Sequence, residues 1–208
     1  MFNDHYIDWR IKRISKILEL YGKDFFNNKS ILELGCGLGD IGKEFISFGA
    51  DVTFAEGRSD HCKTLKEKFP TSEIINLNQN KIWELEKRFD IVIHWGVLYH
   101  LNDWKSDLIS TLKHSDLIFL ESEVSDSDDV NFDLKIKEKD GYDQALDGIG
   151  SRPSADNVEL FIKNLGFDIE RFDDENLNST FHQYSWKVTN TNGWRHGLRR
   201  FWIIKKCN

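Results

Sequence analysis

Residues 33–42 read Glu-Leu-Gly-Cys-Gly-Leu-Gly-Asp-Ile-Gly, a glycine-rich stretch that follows a short apolar run beginning at Ser30. Glycine lets a backbone turn sharply and approach a ligand closely, and a helix starting just after it offers N–H groups at its positive end. Glu56 closes the next apolar run, 51–56. An acid at that place accepts hydrogen bonds from both hydroxyls of a ribose. Loop, helix and acid together predict a site for an adenosine-type ligand; turn glycines beside a surface glutamate are the alternative. Proton transfer near neutral pH calls for histidine. His100 follows the apolar run 89–96 and is the candidate general base, a structural residue at a helix start being the other reading. His182 and His196 compete for that role, while His5, His61 and His114 read as surface residues. No His-Glu-x-x-His pair occurs, and Glu121 with Glu123 is not a coordination set, so no metal is expected.

These residues meet only if the chain between them folds in a particular way. Ile7, Ile11, Ile14, Leu18 and Tyr21 recur at helical spacing, which predicts an amphipathic helix over 4–21 that stops at Gly22. Strand-like runs at 30–35, 51–56, 72–77, 89–96 and 115–122 alternate with helical stretches at 41–49, 61–69 and about 102–113. That alternation predicts an α/β fold, a doubly wound parallel sheet with ligands beyond the carboxyl ends of its strands. Residues 123–150 break the pattern with acids, glycines and little periodicity, the mark of a functional or mobile stretch. Ser154 then caps a helix that ends near Gly166, and strands follow at 167–172 and 199–207. Residues 1–208 thus read as one domain with insertions at about 123–153 and 176–196.

Two cofactors compete for the glycine loop. Residues 37–42, Gly-Leu-Gly-Asp-Ile-Gly, match the G-x-G-x-x-G of dinucleotide binders, but there the fingerprint follows directly on a strand, and here residues 33–36 intervene. Glu33 to Gly39 instead resembles motif I of the class I S-adenosylmethionine-dependent methyltransferases, an acid followed by G-x-G-x-G, and the resemblance extends over about residues 30–122. S-adenosyl-L-methionine (SAM) carries an ammonium and a sulfonium; Glu33 suits those, whereas it would repel a pyrophosphate. The resemblance implies a Rossmann-like, seven-stranded, mostly parallel sheet with the last strand antiparallel. It implies SAM as cofactor and S-adenosyl-L-homocysteine (SAH) as product. Glu33, Gly35, Cys36, Gly37 and Gly39 would then form the cofactor loop, with Glu56, Gly57 and Arg58 as the ribose turn and the start of the adenine wall. Asn76, Leu77 and Asn78 stand where the family usually has an acid that meets the adenine amine. An Asn oxygen also accepts from an amine, and a plain turn residue is the alternative. His94, Trp95 and Gly96 would line the methionine end, reached also by Tyr6, Trp9 and Arg10 of the first helix. Without the resemblance, Trp95 and Tyr99 read as core aromatics.

The acceptor side is expected in the insertions. Residues 141–154 offer Tyr142, Asp143, Gln144 and Arg152, while 181–186 and 193–202 add aromatic rings and cations. Tyr99, Arg152, Tyr184 and Arg195 are expected to face the acceptor beneath a lid, with packing and helix capping as the alternatives. Such a rim suits a sugar or another small hydroxylated or anionic molecule. The net charge of −7 opposes nucleic acid, and the N-P-P-Y type motif of base-modifying enzymes is absent. The charge is uneven: no acid follows Glu175, while 121–147 are acid-rich. These stretches form two solvated surfaces, pair with each other, or supply a basic wall for an anion. No apolar run approaches the ~18 residues of a membrane span, the N-terminus lacks a signal-peptide core, and three scattered cysteines suit a reduced cytoplasmic protein. The rival functions are a nicotinamide-dependent oxidoreductase and a non-catalytic nucleotide-binding module of the same fold.

Overall fold

In the computed structural model, which describes residues 5–139, 141 and 143–207, the apolar runs pair into one seven-stranded sheet. Tyr142 and the side chain of His5 lie outside the described residues. The sheet comprises β1 (Ser30–Leu34), β2 (Asp51–Glu56), β3 (Ile74–Asn76), β4 (Ile91–Trp95), β5 (Leu117–Glu123), β8 (Phe167–Phe172) and β9 (Arg199–Lys206). A separate hairpin, β6 (Asp133–Lys137) with β7 (Ile149–Pro153), makes a second sheet. The main sheet has the order β3-β2-β1-β4-β5-β9-β8. Its first five strands pair in parallel, and β9 alone is reversed, antiparallel to both β5 and β8. Between β1 and β4 the strand order changes direction, which opens a crevice at their carboxyl ends.

Side chains alternate across each strand, so each face of the sheet builds its own core. Ile91, Ile93 and Trp95 of β4 join one cluster, with Trp9, Ile17 and Phe45, under α1 (His5–Tyr21) and α2 (Gly42–Ser47). Val92 joins the other, with Leu108 and Val158, under α4 (Trp104–His114) and α5 (Ala155–Asn164). Helix α3 (Ser59–Lys68) adds Leu65 to the first cluster. Ser154 caps α5 by accepting a hydrogen bond from the Asn157 N–H at 3.0 Å.

Two expectations are corrected here. The buried face of α1 keeps only part of the expected stripe: Ile14 is buried and Leu18 and Tyr21 pack against the core, but Ile7 and Ile11 are 46% and 54% exposed, while Trp9, Arg13 and Ile17 are buried. The helix is rotated because Arg13 turns inward to Glu121, 2.5 Å away, with its guanidinium over Trp9. A buried arginine is invisible to a pattern of apolar residues. The second correction concerns 123–150, which is not irregular throughout. Residues 133–137, Asp-Leu-Lys-Ile-Lys, are half exposed and pair with 149–153, so Lys and Asp occupy a strand whose alternation is too polar to stand out. The 176–196 segment holds only a short turn and isolated bridges. Among the described residues, no helix is long and apolar enough to cross a membrane.

Candidate active site

A cleft of about 170 Å³ opens at the crevice between β1 and β4. Its wall contains Arg10, Gly35, Cys36, Gly37, Glu56, Gly57, Arg58, Leu77, Asn78, Trp95, Gly96, Tyr99 and His100. Gly35 adopts φ +59°, and a Cβ there would lie 2.5 Å from Cγ2 of Val97, so only glycine fits the close turn. Glu56 ends β2 at the opposite side. Its Oε2 accepts from Gly37 N at 2.8 Å and its Oε1 from Arg58 N at 2.9 Å, which ties the loop to the turn. Each carboxylate oxygen keeps a further lone pair for a hydroxyl. A bare glycine turn facing a carboxylate, backed by the apolar Leu38, Ile41 and Leu77, fits the ribose and base of an adenosyl group.

Several expected cofactor residues stand behind the wall instead. Glu33 is buried below the loop, where Oε2 accepts from Gly42 N at 2.8 Å. Burial raises its pKa to about 8, so at neutral pH it carries a proton and does not offset an ammonium. Gly39 packs onto Phe69 and Leu65. Asn76 braces the turn after β2, donating from Nδ2 to the carbonyls of Glu56 and Gly57 at 2.9 and 3.0 Å. His94 points away from the cleft because its neighbour Trp95 points toward it. Its Nε2 lies 2.6 Å from Asp107 Oδ2 in the opposite core. The other oxygen of Asp107 accepts from Gln79 Nε2 and Trp83 Nε1, so this buried acid fixes Gln79 in the cleft wall. The signal missed was a lone Asp among the apolar positions of α4.

The acceptor side is rearranged too. Tyr99 is buried, and its hydroxyl accepts from Arg199 at 3.1 Å. His100 lines the cleft with Nδ1 2.6 Å from Glu138 Oε2, a partner that the irregular look of 123–150 concealed. Arg152, Tyr184 and Arg195 are not in the wall. Arg152 is buried between Glu123, at 2.8 Å, and the Tyr99 carbonyl, at 2.5 Å. Tyr184 is fully buried and donates to Glu121 at 2.7 Å. Arg195 is exposed and donates to Gln183. Arg152 and Tyr184 are taken up by buried acids, and Arg195 by the amide of Gln183.

The uneven charge has the same cause, since the acidic and acid-free stretches pair with each other. Arg199 reaches Glu121 and Glu123 at 3.3 Å, and His196 reaches Glu123 at 2.9 Å. Despite burial, Arg199, His196 and Arg152 hold the Glu123 carboxyl well below its usual range. His182 is buried, and burial with the nearby Arg199 and Arg13 charges drives its pKa down to about 2, which removes it as a base. His61 and His114, expected at the surface, are also buried. His61 lines the cleft beside Glu56, and His114 accepts from Leu85 N at 2.8 Å.

Comparison with known proteins adds an independent line. A family model described as a methyltransferase domain matches residues 6–172. Ribosomal RNA small subunit methyltransferase A of Aliarcobacter butzleri (strain RM4018) is 36% identical over 88 residues, 42% of this chain and 31% of that protein. The match therefore spans under a third of that relative. Among solved structures, the N-terminal domain of EvdMO1 in the presence of SAH and D-fucose superposes with a TM-score of 0.70 at 16% identity, covering 99% of this chain and 85% of that one. Magnesium protoporphyrin IX methyltransferase of Synechocystis PCC 6803, with bound SAM, gives 0.62 at 11% identity, covering 100% and 86%. At such identities the structural likeness shows the fold.

Proposed function

This chain belongs to the methyltransferase-domain family, as a class I SAM-dependent enzyme, and on that premise we propose that it methylates a hydroxyl of a small, hydroxylated acceptor. The observation that carries this reading is His100, held at Nδ1 by Glu138 at 2.6 Å and lining the same cleft as Gly35 and Glu56. The bound cofactor supplies a methyl group on a sulfonium, which is already a good leaving group. The protein's part is to hold an acceptor in line, exclude water and take its proton. Glu56 would hold the ribose, with Leu77 and Asn78 against the base. Arg10, Trp95 and Gly96 would close the methionine end. With Nδ1 engaged, Nε2 of His100 is the nitrogen left to receive the hydroxyl proton. Tyr6, Tyr99, Asp143 and Gln144 complete a polar, aromatic wall of the kind that suits a sugar-like ring.

The presence of D-fucose with the EvdMO1 domain supports a hydroxylated acceptor. The rRNA methyltransferase match favours RNA as the second reading. Against it stand the net charge of −7 and the burial of Arg152, Arg199 and Arg200, cations that are spent on internal partners rather than offered to phosphates. The test is methyl transfer from labelled SAM to a panel of monosaccharides, small phenols and RNA oligonucleotides. A small hydroxylated compound should be labelled, and His100→Ala should lower turnover about 10²–10⁴-fold with SAH affinity retained. Label confined to RNA, or full turnover in His100→Ala, would overturn the reading.

A further inference from the structure

We infer that Glu138 is the positioning residue for His100: its carboxylate fixes the ring as the Nδ1–H tautomer and thereby makes Nε2 the basic nitrogen in the cleft. The inference rests on the base role proposed above and extends it to a residue in the hairpin insertion. Glu138 follows β6 directly, and its side chain is only 4% exposed. Oε2 lies 2.6 Å from His100 Nδ1 and accepts the Ala145 N–H at 2.7 Å, while Oε1 faces both terminal nitrogens of Arg152 at 3.2 Å. Among the described residues, every group bonded to this carboxylate is therefore a donor or a ring nitrogen that can become one.

The protonation state follows from that surrounding. Burial works to protonate Glu138, but the His100 hydrogen bond and charge, the Ala145 amide and the Arg152 charge outweigh it and hold the carboxyl below its usual range. An ionised carboxylate only accepts hydrogen bonds. Neutral His100 must then carry its proton on Nδ1, since a bare Nδ1 at 2.6 Å would set two lone pairs against each other. A histidine left to itself has no such constraint, because the bond made by one ring nitrogen decides the state of the other.

Access for the carboxylate depends on a glycine in the partner strand. A Cβ at Gly150 of β7 would lie 2.3 Å from Glu138 Oε1 and 2.3 Å from the Tyr99 carbonyl, so a side chain there would push the acid off the histidine. During transfer, a new O–CH₃ bond forms as the C–S bond breaks, and the electron pair of that bond stays on sulfur. The acceptor's proton passes to Nε2, and the positive charge of the imidazolium forms beside Glu138. Arg152 shares the carboxylate and tempers its pull. The same acid holds the Ala145 amide, and with it the neighbouring cleft-wall residues Gln144 and Leu146.

The test reads ring nitrogens rather than turnover. Nitrogen-15 spectra of the histidine rings in the SAH-bound full chain, at a pH where His100 is neutral, should show a protonated Nδ1 and a bare Nε2 for that residue. In Glu138→Ala the population should shift to predominantly Nε2–H, and Glu138→Asp should restore part of the Nδ1–H form. A wild-type ring already in the Nε2–H form overturns the inference whether or not the variants fold. An Nδ1–H ring unchanged in Glu138→Ala overturns it equally. Calorimetric titration of the wild type with SAH is the separate control: absence of SAH binding would sink the proposed function while leaving the tautomer assignment standing on its own measurement.

Discussion

Glu56 ties the glycine loop to the turn after β2, since its two oxygens accept from Gly37 N and Arg58 N, and on the proposed reading the same oxygens meet the ribose. Glu56→Ala removes a charged acceptor from the ribose and unties the glycine loop. SAH binding should weaken by about 1.5–3 kcal/mol, the range for hydrogen bonds to a charged group, or about 10–150-fold in Kd. Unchanged affinity by calorimetry in a folded variant would remove Glu56 from the site. Glu33, on the same loop, reports on pH instead. Its folded pKa of about 8 lies above the ordinary value of 4.5, so the native state keeps a proton that the unfolded chain releases. That contribution is whole below the unfolded value and is lost as pH rises to the folded one. Glu33→Gln keeps an acceptor for the Gly42 N–H without a charge to bury. Urea midpoints of variant and wild type should agree near pH 4.5 and separate upward from there. The variant's advantage should grow by about 1.4 kcal/mol per pH unit until about pH 8. Parallel pH profiles would show that Glu33 ionises freely.

The elements were legible in proportion to how plainly their burial was written in side-chain type. β8 was read at its observed ends from Phe167 to Phe172, and α5 was marked by Ser154 and Gly166, residues whose local chemistry stops a helix. The cleft wall residues Gly35, Gly37 and Glu56 were readable because a loop, a helix and an acid in that order have few other uses. β6 and β7 were not readable, since Lys135, Lys137 and Arg152 interrupt any apolar alternation, and with them Glu138 was lost. The N-terminal half of the α1 face, Ile7 and Ile11, was misread for the same reason at Arg13. What ties the hairpin segment to the cleft is also polar: the Arg58 guanidinium donates to the carbonyls of Gly141 and Gln144 at 2.6 and 2.9 Å. Arg58→Ala should release this strap by about 1–2 kcal/mol, counting two partly solvated bonds. Amide exchange in residues 143–146 should speed up roughly tenfold while β1 and β2 stay protected. If 143–146 exchange at the wild-type rate, the strap is held from elsewhere.

Across the whole molecule, a chain of buried charges joins elements far apart in sequence. Arg13 of α1 meets Glu121 of β5; Arg199 of β9 bridges Glu121 and Glu123; Arg152 of β7 bridges Glu123 and Glu138, which ends at His100. The three arginines balance the three glutamates along this path, so what matters is the balance rather than any single pair. Withdrawing such charges from water costs several kcal/mol per ion, and their attraction repays this only while each has its partner. Glu121 is fully buried and shared by three groups, accepting from Arg13, Arg199 and the Tyr184 hydroxyl. Glu121→Gln leaves two buried guanidinium groups facing a neutral amide and should cost about 3–5 kcal/mol. Arg13→Met alone should cost a comparable amount by stranding Glu121 with half its compensation. The double variant removes one charge of each sign and restores the balance. Its urea midpoint should therefore lie above that of Glu121→Gln, with a coupling of about 1–3 kcal/mol between the two sites. Costs that add without coupling would mean that Arg13 and Glu121 contribute by packing alone, and that the path from α1 to His100 is a row of separate contacts.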